Sequence, residues 1–352
     1  MNNQEFRGRG SQMNSPNKFL KNSYVTEHIE GLDEPLLSDS KTRFFKEHPK
    51  KVVNKVDSPD VGMYYSINPY QGCEHGCIYC YARNSHQYYG YSAGLDFERN
   101  IIIKVNAPGL LEEFFDNPKY VPTPIGLSGN TDCYQPIEKK KEITRRLLEV
   151  MLKFKNPVGI ITKNSLILRD LDILQEMTKD NLVHVNISIT SLNEDLRQKL
   201  EPRTSTAKNR MQTVKLLSDK GIPVNVMVAP VIPSLNNTEI PEIIKMAADN
   251  GALSAAYTMV RLNGAIGEIF TDWIEKTFPD RAEKVLNQIK ECHGGNLNDS
   301  RFGTRMRGEG KIAESVAELF HLSREKYMSG RTMPELNCNA FERPVKGQLK
   351  LF

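Results

Sequence analysis

Several features that would assign this sequence to a membrane or secreted class are missing from it. No apolar run approaches the roughly 18 residues that a bilayer-spanning helix needs. The opening segment MNNQEFRGRG lacks the apolar stretch of a secretory signal. These absences predict a cytoplasmic protein with no membrane partner. Because the cytoplasm is reducing, we interpret the six cysteines as thiols rather than as disulfides.

Familiar enzyme motifs and strong charge are also scarce. The sequence has no glycine-rich phosphate loop with the full nucleotide-binding spacing and no serine–histidine–acid motif. A formal net charge of +4 is too small to indicate a dedicated nucleic-acid binder. Basic residues nevertheless outnumber acidic ones in segments 1–22 and 301–352. Nucleic acid therefore stays open as a partner, and the oligomeric state is not determined.

The middle of the chain alternates between short β-rich runs and helical stretches, which is typical of an α/β domain. Repeated βα units with right-handed crossovers form a doubly wound sheet or a full or partial barrel. Six or seven strands favour an incomplete barrel. The candidate strands are 63–68, 101–105, 125–129, 158–162, 183–190, 223–229 and 254–261. The main candidate helices between them are 139–155, 171–179, 209–220 and 240–250.

Composition and periodicity divide the chain into three predicted parts. Residues 1–55 are polar and basic without periodicity, which predicts a mobile arm. Residues 56–270 form the predicted catalytic core. Residues 271–352 form a predicted carboxy-terminal lobe, with helices at 272–292 and 310–328. The predicted fold class is thus α/β, a partial (β/α)6 TIM-like barrel with an amino-terminal arm and a carboxy-terminal helical extension.

The strongest chemical signal is a cysteine triad. Cys73, Cys77 and Cys80 have the spacing C-x3-C-x2-C, directly after a strand-like run. Gly72 and Gly76 permit the unusual backbone angles with which so short a loop can wrap a compact inorganic core. Three protein ligands on a four-iron cube leave one iron open to a small molecule, much as catalytic zinc keeps one position free.

A zinc site is the alternative interpretation of the triad, and it needs a fourth ligand. His75, Cys133, Cys292 or Cys338 are the candidates for that ligand. On this interpretation the chain is a non-catalytic zinc or iron–sulfur protein, in which the triad serves structure alone.

The segment 66–83, with Tyr79 just before the last cysteine, resembles the signature of the radical S-adenosylmethionine (radical SAM) superfamily. It is similar to the branch related to spore photoproduct lyase, and more closely to the bacterial PA0069 family. That closer resemblance covers nearly the whole chain, including the segments 7–10, 131–136 and 299–307.

The resemblance implies a fold, cofactors and a partner. It implies a (β/α)6 partial barrel with a [4Fe-4S] cluster above the carboxyl ends of its strands, which leaves 101–105 as a surplus strand. The cofactor S-adenosylmethionine would bind the open iron, and one electron would cleave it to a 5′-deoxyadenosyl radical. The electron would come from a donor such as flavodoxin or ferredoxin. A related hypothesis is that the protein is a lyase or repair enzyme that acts on DNA.

Polar residues at strand ends are the candidates for binding S-adenosylmethionine. By the resemblance, backbone groups of Ser128, Gly129 and Asn130 would touch the methionine amine, and Lys163 would pair with the carboxylate. Ser188 could reach the ribose, although a polar barrel interior is an alternative. The other interpretations are a common strand-end turn for the first three and a solvated side chain for the lysine.

Three further residues are assigned with alternatives. Arg203 resembles the family's arginine contact to the cofactor, or it forms a surface salt bridge. Tyr79 could stack on the adenine or hydrogen-bond there. Cys133 could return a hydrogen atom to a product radical, or it is a small buried hydrophobe. In spore photoproduct lyase a hydrogen-donor cysteine stands at the place matched here by Asn130, which makes that repair reaction doubtful.

Overall fold

The computed structural model describes residue 6 and residues 8–19 and 41–344. The rest of the predicted arm (1–5, 7 and 20–40) and the end of the predicted lobe (345–352) lie outside the described residues. Across the described ranges, no helix combines the length and the apolar character that a bilayer crossing needs.

Most strands belong to one large sheet. In chain order the strands are β1 (Arg43–Glu47), β2 (Val53–Lys55), β3 (Tyr65–Ile67), β4 (Tyr70–Gln71), β5 (Asn100–Lys104), β6 (Ile125–Leu127), β7 (Val158–Thr162), β8 (Val183–Ser188), β9 (Val224–Val231) and β10 (Ser254–Met259). The large sheet has the order β10-β9-β8-β7-β6-β3-β2. Its first six strands are parallel, and β2 pairs antiparallel with β3 at the edge. The predicted partial (β/α)6 barrel is confirmed.

A second sheet stands beside the barrel, with the order β1-β5-β4. The predicted surplus strand 101–105 corresponds to β5, which pairs parallel with β1 and antiparallel with β4. Because β4 leads directly into residues 72–80, this small sheet holds the start of the cysteine-bearing loop.

Helices cover the outside of the barrel and build the carboxy-terminal part. They are α1 (Leu95–Arg99), α2 (Ala107–Asp116), α3 (Glu138–Lys141), α4 (Ile143–Lys153), α5 (Leu171–Thr178), α6 (Glu194–Leu200), α7 (Ala207–Asp219), α8 (Ile240–Asp249), α9 (Ile266–Thr277), α10 (Pro279–Cys292) and α11 (Gly310–Met328). Two single-helix predictions were wrong. The stretch 139–155 breaks at Glu142, whose φ is +51°, and 272–292 breaks at Phe278 because Pro279 begins a new helix.

Alternating burial along the parallel strands separates the core from the barrel interior. In β7, Val158, Ile160 and Thr162 are buried, while Gly159 and Ile161 are half-buried. The buried face packs under the surrounding helices in the main hydrophobic core. The carboxyl ends of the strands then meet at one edge, where the candidate site residues follow them.

The predicted arm contacts the rest of the protein wherever the structure describes it. Within 1–55, β1 pairs with β5 and β2 pairs with β3. The amino-terminal segment (residues 8–19) also packs on the protein, and the carbonyl of Met13 accepts a hydrogen bond from the amide of Leu95 at 3.1 Å. These backbone hydrogen bonds connect parts of 8–19 and 43–55 to the rest of the protein, and the mobile arm stays a prediction. The three-part division of the chain stays a prediction.

Candidate functional site

The cysteine loop (residues 72–80) follows β4 and turns tightly. Gly72 and Gly76 have φ values of +79° and +68°, in the left-handed region that favours glycine. A Cβ added to Gly76 would lie 2.8 Å from a carboxylate oxygen of Glu98. The loop therefore needs glycine at this position for its conformation and for space.

The three thiols of this loop are grouped in one buried place. Cys73 and Cys77 are 6% and 7% exposed, Cys80 is half-buried, and none is in a disulfide. Burial raises the pKa of all three thiols. Asp132 and then the other two cysteines raise the pKa of Cys73 further. Cys80 packs against both the apolar cluster that contains Cys73 and the one that contains Cys77.

Nearby cations favour the thiolate form that a metal ligand requires. Against the effect of burial, Lys163 lowers the pKa of both Cys77 and Cys80. Arg210 acts in the same direction on Cys77, and Arg83 on Cys80. A bound metal group would complete this stabilisation of negative charge on sulfur.

A single metal ion and an iron–sulfur cluster place different demands on the donors of this loop. Among the described residues, no three histidine, cysteine, aspartate or glutamate side chains converge as one metal ion requires. Zinc at about 2.3 Å from each sulfur would draw its thiolates to within about 4 Å of one another. In a four-iron cube each cysteine binds a different iron, so the sulfurs stand further apart. Three cysteine thiolates are a ligand set that such a cube can use when one of its irons stays open.

The proposed fourth zinc ligands are engaged or distant. His75 is buried, with Nδ1 3.3 Å from Asp132 and Nε2 3.2 Å from the side-chain amide of Asn164. Cys292 is buried in the main core with the carboxy-terminal helices, and Cys338 lies in a short turn near the end of the described chain. These positions favour a triad without His75, Cys292 or Cys338 as a fourth protein ligand.

Arg83 holds the cysteine loop in place through its backbone carbonyls. Its guanidinium donates to the carbonyl oxygens of Cys77 at 2.9 Å and Gly76 at 3.2 Å. It also forms an ion pair of 2.6 Å with Glu98, and both side chains are fully buried. One arginine thus holds the carbonyls of two consecutive loop residues in place.

The amino-terminal segment joins this arrangement through the same carboxylate. Glu98 accepts hydrogen bonds from the amides of Gly10 at 3.1 Å and Ser11 at 2.8 Å. A Cβ on Gly10 would lie 1.7 Å from the carbonyl oxygen of Gly76, so the two backbones touch. The segment covers one side of the cysteine loop.

A second buried network centres on Glu201. It accepts hydrogen bonds from the hydroxyls of Tyr79 and Thr190 and pairs with Arg210 at 2.5 Å. Lys163 lies 3.8 Å from the same carboxylate. Burial would raise the pKa of Glu201, but the charges of Arg210 and Lys163 hold it at about 2. The carboxylate therefore stays ionised and positions both cations beside the cysteines.

The predicted strand-end segment after β6 is strongly constrained. Ser128 has a φ of +81°, and its hydroxyl donates to the carbonyl of Thr131. The Gly129 carbonyl accepts a hydrogen bond from the hydroxyl of Tyr81, which follows the last cysteine of the loop. The amide of Asn130 donates to Asn68 at 2.7 Å. The chain thus presents this turn directly towards the cysteine loop.

Ser188 and Arg203 differ in burial: Ser188 is buried, whereas Arg203 is half-exposed. Ser188 is buried at the end of β8, where its carbonyl accepts a hydrogen bond from Arg210. Arg203 has a half-exposed side chain that lies 3.5 Å from Glu74, and its amide donates to the carbonyl of His75. Arg203 therefore lies against the cysteine loop, and its role towards the cofactor stays a prediction.

Cys133 lies in the main hydrophobic core and is fully buried. Burial raises the pKa of its thiol, and its amide donates to the hydroxyl of Ser128 at 2.7 Å. This environment matches the buried-hydrophobe interpretation. Its part in hydrogen transfer stays a prediction.

Sequence reasoning missed the residues that support the site. Arg83, Glu98 and Arg210 were not singled out, and Glu201 was noted only as part of a motif. Each is a charged residue with at most 1% of its surface exposed, and each pairs with another of the four. Neighbouring residues in the sequence do not show which charged side chains are buried, so no sequence pattern identified these four.

Known proteins resemble this chain in sequence. An uncharacterized protein of Mycobacterium bovis is 28% identical over 234 residues, which cover 66% of this chain and 69% of the relative. An uncharacterized protein of Methanocaldococcus jannaschii is 28% identical over 250 residues, which cover 71% of this chain and 89% of the relative.

The fold is similar to that of solved structures. A spore photoproduct lyase variant with bound AdoMet and dinucleoside spore photoproduct aligns with a TM-score of 0.60 at 16% identity. The alignment covers 82% of this chain and 80% of that one. At this identity the similarity establishes the fold.

The family itself is established by the sequence profile of the radical SAM superfamily, which matches residues 67–247. The matched segment is more than half of the 352-residue chain and contains the whole cysteine triad and the six parallel strands except part of β3 and all of β10. This chain belongs to the radical SAM superfamily, whose members use a [4Fe-4S] cluster and S-adenosylmethionine.

Proposed function

We propose that this protein is an enzyme that binds a [4Fe-4S] cluster through Cys73, Cys77 and Cys80 and generates a 5′-deoxyadenosyl radical from S-adenosylmethionine. The observation that carries the proposal is the grouping of three thiols outside any disulfide, two buried and one half-buried, beside the cation Lys163. Membership of the superfamily supports the same cofactor pair. The radical would act on a substrate held at the mouth of the barrel.

The residues around the triad have separable tasks in this proposal. When bound, the cluster supplies one electron that cleaves the sulfonium of S-adenosylmethionine. Lys163 lies 3.8 Å from Glu201 and 5.9 Å from the ring centroid of Tyr79, so its ammonium can also pair with the carboxylate of the methionine group. Ser128 and Gly129 offer backbone carbonyls to the methionine amine. The amino-terminal segment and Arg83 keep water from the other side of the loop.

Anaerobic reconstitution tests the proposal. Wild-type protein should become brown, bind iron and sulfide, and with dithionite convert S-adenosylmethionine to 5′-deoxyadenosine and methionine. Cys80→Ala should lose both cluster and cleavage because one iron loses its ligand. The matched controls Cys292→Ala and Cys338→Ala should keep both, since neither cysteine belongs to the triad. A colourless wild-type protein that binds zinc and leaves S-adenosylmethionine intact would refute the proposal.

Repair of the spore photoproduct type is not the reaction that we propose. At the position matched to the lyase's hydrogen-donor cysteine, Asn130 offers an amide, which donates to Gln71 and Ser85. An amide has no weak S–H bond from which a product radical could take hydrogen. We therefore propose the radical-forming step without the return of a hydrogen atom from a cysteine to the product radical. A small reductant such as flavodoxin or ferredoxin is the proposed electron donor.

A further inference from the structure

The open side of the partial barrel is closed by a loop from the carboxy-terminal part. The closing loop (residues 297–307) attaches to the end of the last barrel strand, where the amides of Met259 and Leu262 donate to the carbonyls of Met306 and Leu297. β10 and β2 stand at opposite edges of the large sheet. The loop therefore starts from one edge of the gap.

The closing loop reaches the opposite edge through Asp60, which lies between β2 and β3. Asp60 accepts a hydrogen bond from the amide of Gly303 at 2.8 Å and pairs with Arg305 at 2.5 Å. The Arg305 guanidinium also donates to Ser58 at 2.5 Å. These contacts span the gap that six strands leave in the barrel.

Arg261, just beyond β10, stands in this closed region without a partner. Its side chain is half-buried, and within the described ranges its guanidinium makes no hydrogen bond or ion pair. Burial and the like charge of Arg305 lower the pKa of Arg261. Two other arginines here have carboxylate partners, because Arg305 pairs with Asp60 and Arg301 with Asp299, and the exposed Arg307 lies over the ring of Tyr257. Tyr81, Asp60 and Asp299 act in the opposite direction on the pKa of Arg261 without contacting its guanidinium. A half-buried guanidinium that makes no hydrogen bond or ion pair within the described ranges can accommodate an anion.

Two aromatic residues with exposed surface belong to this region, Tyr81 beside Arg261 and Phe302 beside Arg305. Tyr81 is 49% exposed, interacts electrostatically with Arg261 and directly follows Cys80. Phe302 is 58% exposed and lies under the guanidinium of Arg305 at 4.4 Å. Aromatic faces beside arginine suit the base and the phosphate of a nucleotide.

We propose that Arg261 forms an anion subsite beside the cysteine loop and that it binds a phosphate group of a nucleotide substrate. The inference rests on the proposed function, because it assigns a substrate class to the same site. A guanidinium can hold a phosphate through two parallel hydrogen bonds, which an ammonium cannot match. The phosphate belongs either to a free nucleotide or to a nucleic-acid strand.

The test compares phosphate probes on the reconstituted protein. A fluorescein-labelled oligothymidylate, thymidine 5′-monophosphate and phosphate-free thymidine are titrated against wild type, Arg261→Gln, Arg261→Lys and the control Arg324→Gln. Arg324 is an exposed residue on the outer helix α11. Arg261→Gln should weaken phosphate binding about tenfold or more, the scale of a lost charge-assisted hydrogen bond. Arg324→Gln should bind like wild type, and Arg261→Lys should fall between them.

A stability measurement separates a binding role from a structural one. Arg261→Gln should unfold at the same temperature as wild type or higher, because it removes a repelled charge that has no partner. Arg305→Gln should unfold at a lower temperature, because it leaves Asp60 without its cation. An Arg261→Gln variant that unfolds well below wild type would overturn the binding role.

Each binding outcome decides the proposal. Weaker binding of both phosphate probes assigns the subsite to the phosphate of a free nucleotide, and weaker binding of the oligothymidylate alone assigns it to a strand. Equal binding by wild type and Arg261→Gln, or no binding of either phosphate probe by wild type, would overturn the inference. Cleavage of S-adenosylmethionine by wild type is measured separately, and its absence would defeat the proposed function whatever the probes show.

Discussion

Arg83 and Glu98 form a 2.6 Å ion pair in which neither side chain is exposed to solvent. The pair lies between the cysteine loop, which Arg83 holds by two carbonyls, and the amino-terminal segment, whose amides bind Glu98. Two parts of the chain that are separated by more than fifty residues are therefore coupled through one carboxylate.

Replacing Glu98 by glutamine should destabilise the protein strongly. The change leaves the Arg83 guanidinium charged and buried without its counter-ion, a loss of about 3–5 kcal/mol in the free energy of unfolding. Urea unfolding measures it. The control Glu112→Gln breaks a pair with Lys153 whose side chains are 41% and 51% exposed, and it should cost less than about 1 kcal/mol. Equal stabilities of the two variants would contradict this account.

Replacing Gly10 by alanine should detach the amino-terminal segment from the cysteine loop. The new Cβ would collide with the backbone carbonyl of Gly76, which cannot rotate away as a side chain can. We expect faster iron loss to a chelator and faster hydrogen exchange at the amide of Leu95, which is bonded to Met13. Gly109→Ala, where nothing lies within 4 Å of the added carbon, is the control. Unchanged iron loss in Gly10→Ala would show that the segment does not protect the loop.

Lowering the pH should destabilise the fold through His86. Burial lowers the pKa of His86 to about 4, and Nε2 has no hydrogen-bond partner among the described residues. The unfolded chain binds this proton near pH 6.5, whereas the folded chain does not, so stability falls between pH 6.5 and 4. We expect a contribution of about 2 kcal/mol to be lost between about pH 7.5 and 5.

Urea unfolding of wild type and His86→Phe at both pH values checks this prediction. Phenylalanine does not titrate, and the site already packs against Phe97 and Tyr91. The variant should lose less stability than wild type over the same interval. If the free energy of unfolding fell equally in the two proteins, His86 would not be the cause of the pH dependence.

Replacing Asp60 by asparagine should open the closing loop. The variant weakens both the ion pair to Arg305 and the hydrogen bond from the amide of Gly303. Hydrogen exchange at Gly303 should accelerate several-fold. Asp57→Asn is the matched control, because Asp57 is 82% exposed and contacts only Lys55 among the described charges. Slow exchange at Gly303 in Asp60→Asn would mean that other contacts hold the loop.

Much of the fold and the centre of the site follow from local sequence. Strand and helix alternation predicted the six parallel strands, because a buried strand and an amphipathic helix each have a period that a short window reveals. The cysteine triad could also be predicted from the sequence, since its three ligands lie within eight residues of one loop. Helix boundaries were harder to predict. The positive φ of Glu142 interrupts a continuous helical pattern, and no glycine or proline at that position marks the break in the sequence.

Tertiary structure alone decided the partners of the buried charges. The sequence does not show that Glu98 faces Gly10, that Arg305 crosses the gap to Asp60, or that Arg261 has no partner in the described chain. Such contacts join residues distant in sequence, and burial, which gives a charge its energetic weight, exists only after the chain has folded. The sequence by itself determined which chemistry the cysteines can support. The folded structure decided which charged and polar side chains surround them.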